Sequence, residues 1–103
     1  MKLHRQLLKN RMFIIELTYK KDMSFVEKYL EAHRSFLDDY YAKGVLVASG
    51  PKNPRDGGII LAREMDRAEL EKILALDPFW KKGVADFKIT DFAVTKRSAN
   101  FNY

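Results

Sequence analysis

Cysteine is absent from the 103 residues, which excludes disulfides, thiolate metal ligands and thiol nucleophiles. Imidazole is scarce as well, with only His4 and His33 to supply it. So thin a set of nitrogen ligands and no sulfur predicts no metal site and no cofactor, leaving His, carboxylates and hydroxyls for any catalysis. No apolar run approaches the roughly 18 residues that suggest a membrane span, and the first residues lack the apolar stretch and small-residue cleavage site of a secretory signal. The expectation is a cytoplasmic protein with no membrane partner.

Acidic residues are missing from the first 11 positions, MKLHRQLLKNR, where Lys2, Arg5, Lys9 and Arg11 stand unopposed. Lys96 and Arg97 add two more cations near the other end, whereas residues 12–95 hold 13 Lys and Arg against 14 Asp and Glu, with the signs mixed. The net charge of +5 therefore sits in the ends. The body has no basic stripe to track a phosphate backbone, and no nucleic-acid partner is expected. Residues 1–11 are read as a basic N-terminal extension, disordered and ahead of the true start of the fold at Met12; His4 leaves the argument with them. Residues 12–95 form one α+β domain, because a chain of this size supports a single core, and residues 96–103 are a C-terminal tail.

Within the body, MFIIELTY (Met12 to Tyr19) has the aromatic and β-branched content of a buried strand and ends at the polar break Lys20-Lys21-Asp22. Ser24 to Glu27 (SFVE) reads as a capping box opening a helix that runs to Lys43 and stops at Gly44. VLVASG (Val45 to Gly50) and GIILAR (Gly58 to Arg63) are short strands around the turn-rich PKNPRDG. Asp66 to Glu69 (DRAE) is a second capping box, leading into a helix with Leu70, Ile73 and Leu74 on one face. The chain then reaches Asp77-Pro78, where Pro suits the first position of a new turn, and VADFKITDFAV (Val84 to Val94) is a last strand.

The order strand, helix, strand, strand, helix, strand predicts a ferredoxin-like βαββαβ fold, a four-stranded antiparallel sheet with two helices on one face. The other face is left uncovered. Phe13, Ile15, Phe92 and Val94 suggest that it is not wholly polar, so a homodimer formed through the open sheet face is the expected partnership.

One residue breaks the pattern of the first helix. At about 100° per residue, His33 projects near the middle of the apolar arc, between Leu30 and Leu37, so its imidazole points at the sheet. A histidine so placed is either a satisfied core residue or a base over a cleft. Asp77, before Pro78, is either a helix cap or a carboxylate for that base. Ser49-Gly50-Pro51 is either a turn after a strand or a place where a hydroxyl and a closely approaching backbone bind an oxyanion. Asp56-Gly57-Gly58 is turn chemistry.

Taken together, His33 with Phe36 and Leu37, GVLVASGP (Gly44 to Pro51), DGGIIL (Asp56 to Leu61), and DPF (Asp77 to Phe79) with Gly83 soon after resemble the YCII (YciI-like) family. The resemblance spans Met12 to about Val94. It implies a subunit of the dimeric α+β barrel type, related in fold to muconolactone isomerases, with His33 and Asp77 as the active pair. One activity among such relatives is dehydrochlorination of a chlorinated hydroxymuconolactone.

The function expected on these grounds is that of a small enzyme of lyase or isomerase type, with His33 and Asp77 catalytic and acting on a small organic acid or lactone. Ser49, Gly50, Phe36, Phe79 and Trp80 are the expected substrate-binding residues. The alternative is a non-catalytic dimer that senses a small metabolite through Tyr29, Phe36, Phe79 and Trp80. An RNA-binding reading fails on the third strand, where GIILAR carries no stacking aromatics. A haem-degrading reading lacks a polar partner for the haem, since the body offers only Asn53, in the loop.

Overall fold

Apolar residues at every position from Met12 to Ile15 cannot all face one side of a strand, and the sheet uses both sides. The computed structural model describes residues 10–101. Its elements run β1 (Arg11–Tyr19), α1 (Met23–Ala42), β2 (Leu46–Pro51), β3 (Gly57–Arg63), α2 (Arg67–Leu74), α3 (Pro78–Lys81) and β4 (Ala85–Ala93). The strands form one sheet in the order β2-β3-β1-β4, antiparallel throughout. This is the ferredoxin-like arrangement, with the two most apolar strands in the middle and the helices on one face.

The register fixes which residues share a face, because directly opposed residues of an antiparallel pair point the same way. Phe13, Ile15 and Leu17 stand opposite Ala62, Ile60 and Gly58 on one side, and Ile15 and Leu17 opposite Ile89 and Phe87 on the other. They meet Val26, Phe36 and Leu37 of α1, Leu70 and Leu74 of α2, and Phe79 of α3 in a single core. The uncovered face carries Ile14 opposite Leu61, Glu16 opposite Ile59, and Met12 opposite Phe92. Phe13 and Ile15 are thus fully buried under the helices, not on the open face. A four-residue apolar run conceals the phase of its own alternation, which is why the sequence misplaced them.

In β2 the alternation is interrupted. Leu46 pairs with Ala62 but Ala48 with Leu61, so Val47 is an extra residue with no partner, a β-bulge. Beyond it, Ser49 opposes Ile60 and Pro51 opposes Gly58, which puts both on the helix-covered side together with Leu46. Simple alternation from Leu46 would have turned Ser49 to the open face.

The boundaries differ from expectation in instructive ways. Ser49-Gly50-Pro51 belongs to β2 and is not a turn after it. Helix α1 is capped by Asp22, whose carboxylate accepts from the Phe25 N–H at 3.0 Å and the Ser24 hydroxyl at 2.8 Å. Ser24 lies inside the first turn, because the carboxylate two residues earlier reaches the free amides first. The helix ends as foreseen, with Gly44 at a φ of 75°. Asp66 stands at the N-cap of α2 but makes no side-chain cap bond, and Glu69 pairs instead with Lys72 at 3.5 Å. Strand β1 begins at Arg11, one residue before the expected domain boundary, and the Arg11 guanidinium is paired with the Asp91 carboxylate of β4. The Val94 N–H donates to the carbonyl of Asn10. Residues 1–9 of the expected extension and residues 102–103 of the tail lie outside the described residues. Among the described residues no helix is long and apolar enough to cross a membrane.

Candidate active site

The apolar arc of α1 lays Val26, Phe36 and Leu37 on the sheet, and His33 goes down with them. It meets the segment after α2. There the chain turns through Asp77, whose side chain accepts from the Phe79 N–H at 2.9 Å and so caps the single-turn helix α3, with Pro78 at its first position. The same carboxylate faces His33: Nδ1 lies 2.9 Å from both Oδ1 and Oδ2. Capping and pairing, alternatives at the level of sequence, are both present.

Asp77 is fully buried, and a carboxylate can only accept, so the hydrogen on this bond belongs to His33 Nδ1. The imidazole also stacks flat on Phe79, with ring centroids 4.0 Å apart and 3° between planes. Two contacts of different kinds, one in the ring plane and one across its face, leave the ring no free rotation. Nε2 makes no hydrogen bond to any of the described residues. Among the described residues no buried side-chain nitrogen or oxygen lacks a partner, so Nε2 is open to solvent.

His33 lines a cleft of about 840 Å³ between α1 and the β2–β3 side of the sheet. Leu17, Leu30, Leu37 and Ile60 give it apolar walls, while Tyr19, Tyr41 and Ser49 add hydroxyls. Tyr19 also holds Phe79 from the side, edge to face at 6.0 Å. The bulge at Val47 is what delivers Ser49 here, and the Tyr41 and Ser49 hydroxyls lie 2.6 Å apart. Gly50 lines the cleft without crowding it. Gly57, at its end, lies so close to β1 that a Cβ would fall 1.7 Å from the Leu17 carbonyl oxygen.

Of the residues singled out in the sequence, His33, Asp77, Phe79, Ser49 and Gly50 come together. Phe36 and Trp80 do not join them. Phe36 is buried in the core, with its ring against Tyr40 at 5.0 Å. Trp80 is 41% exposed and packs edge-on against Phe87 of β4. In a single-turn helix consecutive side chains diverge by about 100°, so Phe79 inside requires Trp80 outside. Tyr29, named for the sensing alternative, packs against Phe25 on the outer part of α1. Sequence reasoning missed Tyr19 and Tyr41, along with Arg34 and Arg55 at the rim, neither of which has an ion-pair partner among the described residues. Position on α1 could have flagged Tyr41, two turns beyond His33. Nothing in the loop sequence distinguishes Arg55. No three His, Asp or Glu side chains converge among the described residues as a metal site would require.

The chain belongs to the YCII-related domain family, which it matches over residues 12–93. No curated protein matches it. Among solved structures it is similar to the 5-chloro-2-hydroxyhydroquinone dehydrochlorinase of Burkholderia phenoliruptrix AC1100, solved with 2,5-dihydroxybenzoquinone. That likeness has 18% identity, covers 77% of this chain and 90% of that one, and has a TM-score of 0.66. It is also similar to SnoaB, a cofactor-independent oxygenase from Streptomyces nogalater, at 11% identity, 87% and 97% coverage, and a TM-score of 0.50. At these identities the likeness establishes the fold alone, a four-stranded antiparallel sheet with helices on one face. The dehydrochlorinase is named for a chlorinated hydroxyhydroquinone, and not for the chlorinated hydroxymuconolactone that the family resemblance implies for one of the relatives.

Proposed function

We propose that this YCII-related domain is an acid–base enzyme of lyase or isomerase type, in which His33 is the base and Asp77 holds it. The observation that carries the proposal is the His33–Asp77 pair at the wall of the cleft, with Nδ1 tied to a buried carboxylate and Nε2 free. An imidazole whose Nδ1 bears the hydrogen has its lone pair on Nε2, where it can accept a proton. In an elimination, the C–H bond next to a carbonyl breaks and its proton passes to Nε2. The electron pair forms a carbon–carbon double bond, and the leaving group on the adjacent carbon departs with its own pair. In an isomerisation the proton is returned at a second carbon. Asp77 stabilises the imidazolium formed in either case, and the stacked Phe79 keeps the ring in plane.

Small ring-shaped organic acids, lactones and hydroxyquinones fit a cleft with apolar walls and hydroxyls, with Ser49 and the backbone at Gly50 on the side of β2 as substrate-binding groups. The dehydrochlorinase among the structural neighbours is a precedent for elimination on this fold. No step calls on a metal or cofactor. The active unit in this proposal is a homodimer joined through the open sheet faces, as the dimeric α+β barrel type implies and as Ile14, Ile59 and Leu61 on that face favour.

The test is turnover of a panel of halogenated hydroxyquinones, enol lactones and 2-hydroxy acids by the wild type and by His33→Gln. Activity that falls by at least about 10²-fold in the variant is expected. Binding without turnover, unaltered by the substitution, would identify a sensor of small metabolites instead.

A further inference from the structure

The cleft holds a second polar feature that proton transfer at His33 leaves unused. The hydroxyls of Tyr41 and Ser49 are 2.6 Å apart, and among the described residues neither makes another hydrogen bond. Two hydroxyls carry two O–H donors, and one bond between them consumes one. Whichever group donates, one O–H is left over, and both residues line the cleft. Since a phenol is the stronger acid, Tyr41 is the natural donor. Its bond to the Ser49 oxygen polarises that hydroxyl and makes the remaining O–H a better donor than a lone serine would supply.

Its position is as informative as its chemistry. Tyr41 follows His33 by eight residues on α1, about 12 Å further along the helix at about 1.5 Å per residue. Ser49 is fixed from the opposite wall, by the bulged strand β2. The donor is therefore set apart from the Nε2 atom and held from both walls. A group this far along the cleft reads the far end of a bound molecule and not its reacting carbon. The volume of about 840 Å³ leaves room for such a molecule.

We propose that the Tyr41–Ser49 pair is a specificity-determining element that donates to an acceptor oxygen at the end of the substrate remote from His33. The cleft then favours elongated ring compounds with an oxygen at each end, a hydroxyl or acidic C–H toward Nε2 and a carbonyl or carboxylate toward Tyr41 and Ser49. The proposal rests on the assignment of His33 as the base of the same cleft, and it predicts discrimination that this assignment alone does not.

Two fluorescent probes separate the ideas. In 6-hydroxy-2-naphthoate a phenol faces His33 and a carboxylate faces the pair, whereas 2-naphthol lacks the second oxygen. The wild type is expected to bind the hydroxynaphthoate at least about tenfold more tightly, because hydrogen bonds to charged acceptors are the strong ones. Tyr41→Phe and Ser49→Ala should each erase most of that preference, by weakening the hydroxynaphthoate far more than 2-naphthol. His33→Gln should weaken both probes and leave the preference in place. Equal binding of the two probes by the wild type, or a preference that survives Tyr41→Phe combined with Ser49→Ala, would overturn the proposal. A His33→Gln protein that binds both probes as the wild type does would count against the assignment of the base, while the preference itself would still decide the role of the pair. If neither probe binds at all, both fail.

Discussion

Asp77 joins two tasks in one carboxylate, and its isosteric replacement separates them. In Asp77→Asn the amide oxygen can still accept from the Phe79 N–H, but the amide nitrogen is a donor and cannot receive the Nδ1 hydrogen of His33. The Nδ1 hydrogen is left to the same uncharged amide oxygen, so an imidazolium formed when Nε2 takes a proton loses its counter-ion. Turnover should fall by about 10²-fold or more while the melting temperature changes little. The NMR signal of the Nδ1 proton bonded to Asp77 should move upfield as its charged acceptor becomes a neutral one. Asp77→Ala removes both tasks and leaves two buried donors unpaired, at a cost of about 3 kcal/mol, so its melting temperature should drop by more than about 10 °C. At this scale the sequence was legible where a residue broke a pattern. His33 stood out because an imidazole sat on an apolar arc, and Asp77 because it preceded Pro. Phe36 and Trp80 were misjudged because a position beside a candidate residue says nothing of which way the side chain points. Tyr41 was invisible for the opposite reason: a tyrosine on an apolar arc looks like core until its hydroxyl is seen to have somewhere to go.

Among the elements, the start of α1 makes the sharpest forecast. Hydrogen bonds from Ser24 and then from the Phe25 N–H hold the Asp22 carboxyl below its ordinary value of 3.8. A group whose folded value is depressed adds stability above its ordinary value and loses that contribution as the pH falls through the folded one. The wild type should therefore melt above Asp22→Ala at neutral pH, and the gap should narrow as the pH is lowered below 3.8. A gap independent of pH would show that the charge contributes nothing. The junction of β3 with β1 makes another forecast. With Leu17 backbone where a Cβ of residue 57 would be, Gly57→Ala must push the two central strands apart. A denaturant midpoint well below that of Gly50→Ala, where nothing lies within 4 Å, is the expected result. Element order and type were readable because each strand and helix carried its own periodicity and stop signals. Boundaries slipped where two capping candidates stood within a turn of each other, as Asp22 and Ser24 do.

For the molecule as a whole, the side of the sheet away from the helices is the face that the proposed dimer would bury. Ile14, Ile59 and Leu61 lie together on it, and Phe92 is 39% exposed at its edge. The polar part of the same face is already paired within the chain: the Lys52 ammonium lies 3.1 Å from Glu16 and 3.3 Å from Asp56. Burial pushes the Lys52 pKa down, but these hydrogen bonds and the two negative charges outweigh it and hold the value above the ordinary one, so the ammonium stays charged. Two such faces packed together would hide the apolar centre around a self-contained charged margin. Sedimentation of the wild type at micromolar concentration should give a dimer, and Leu61→Glu should give a folded monomer. A monomeric wild type would count against this assembly. The architecture was legible from chain order alone, since two helices cannot cover both faces of four strands. Which residues occupy the free face was not, because that depends on the phase of β1, which its apolar run concealed.

The unpaired Val47 has a consequence for how such a cleft can change over evolutionary time. Whether the extra residue of this edge strand is bulged out sets whether the next position to reach the cleft is the hydroxyl of Ser49 or the methyl of Ala48. Loss of the codon for Val47 would leave Leu46 opposite Ala62, Ala48 opposite Leu61 and Ser49 opposite Ile60, so the hydroxyl keeps its place in a strand one residue shorter. Pairing Val47 into the ladder would instead turn Ser49 away and leave an inert wall, with no amino acid replaced. Polar recognition in this cleft is thus written in the pairing register of a strand and not in its length, and the bulge is the device by which that strand carries an additional residue without losing its hydroxyl.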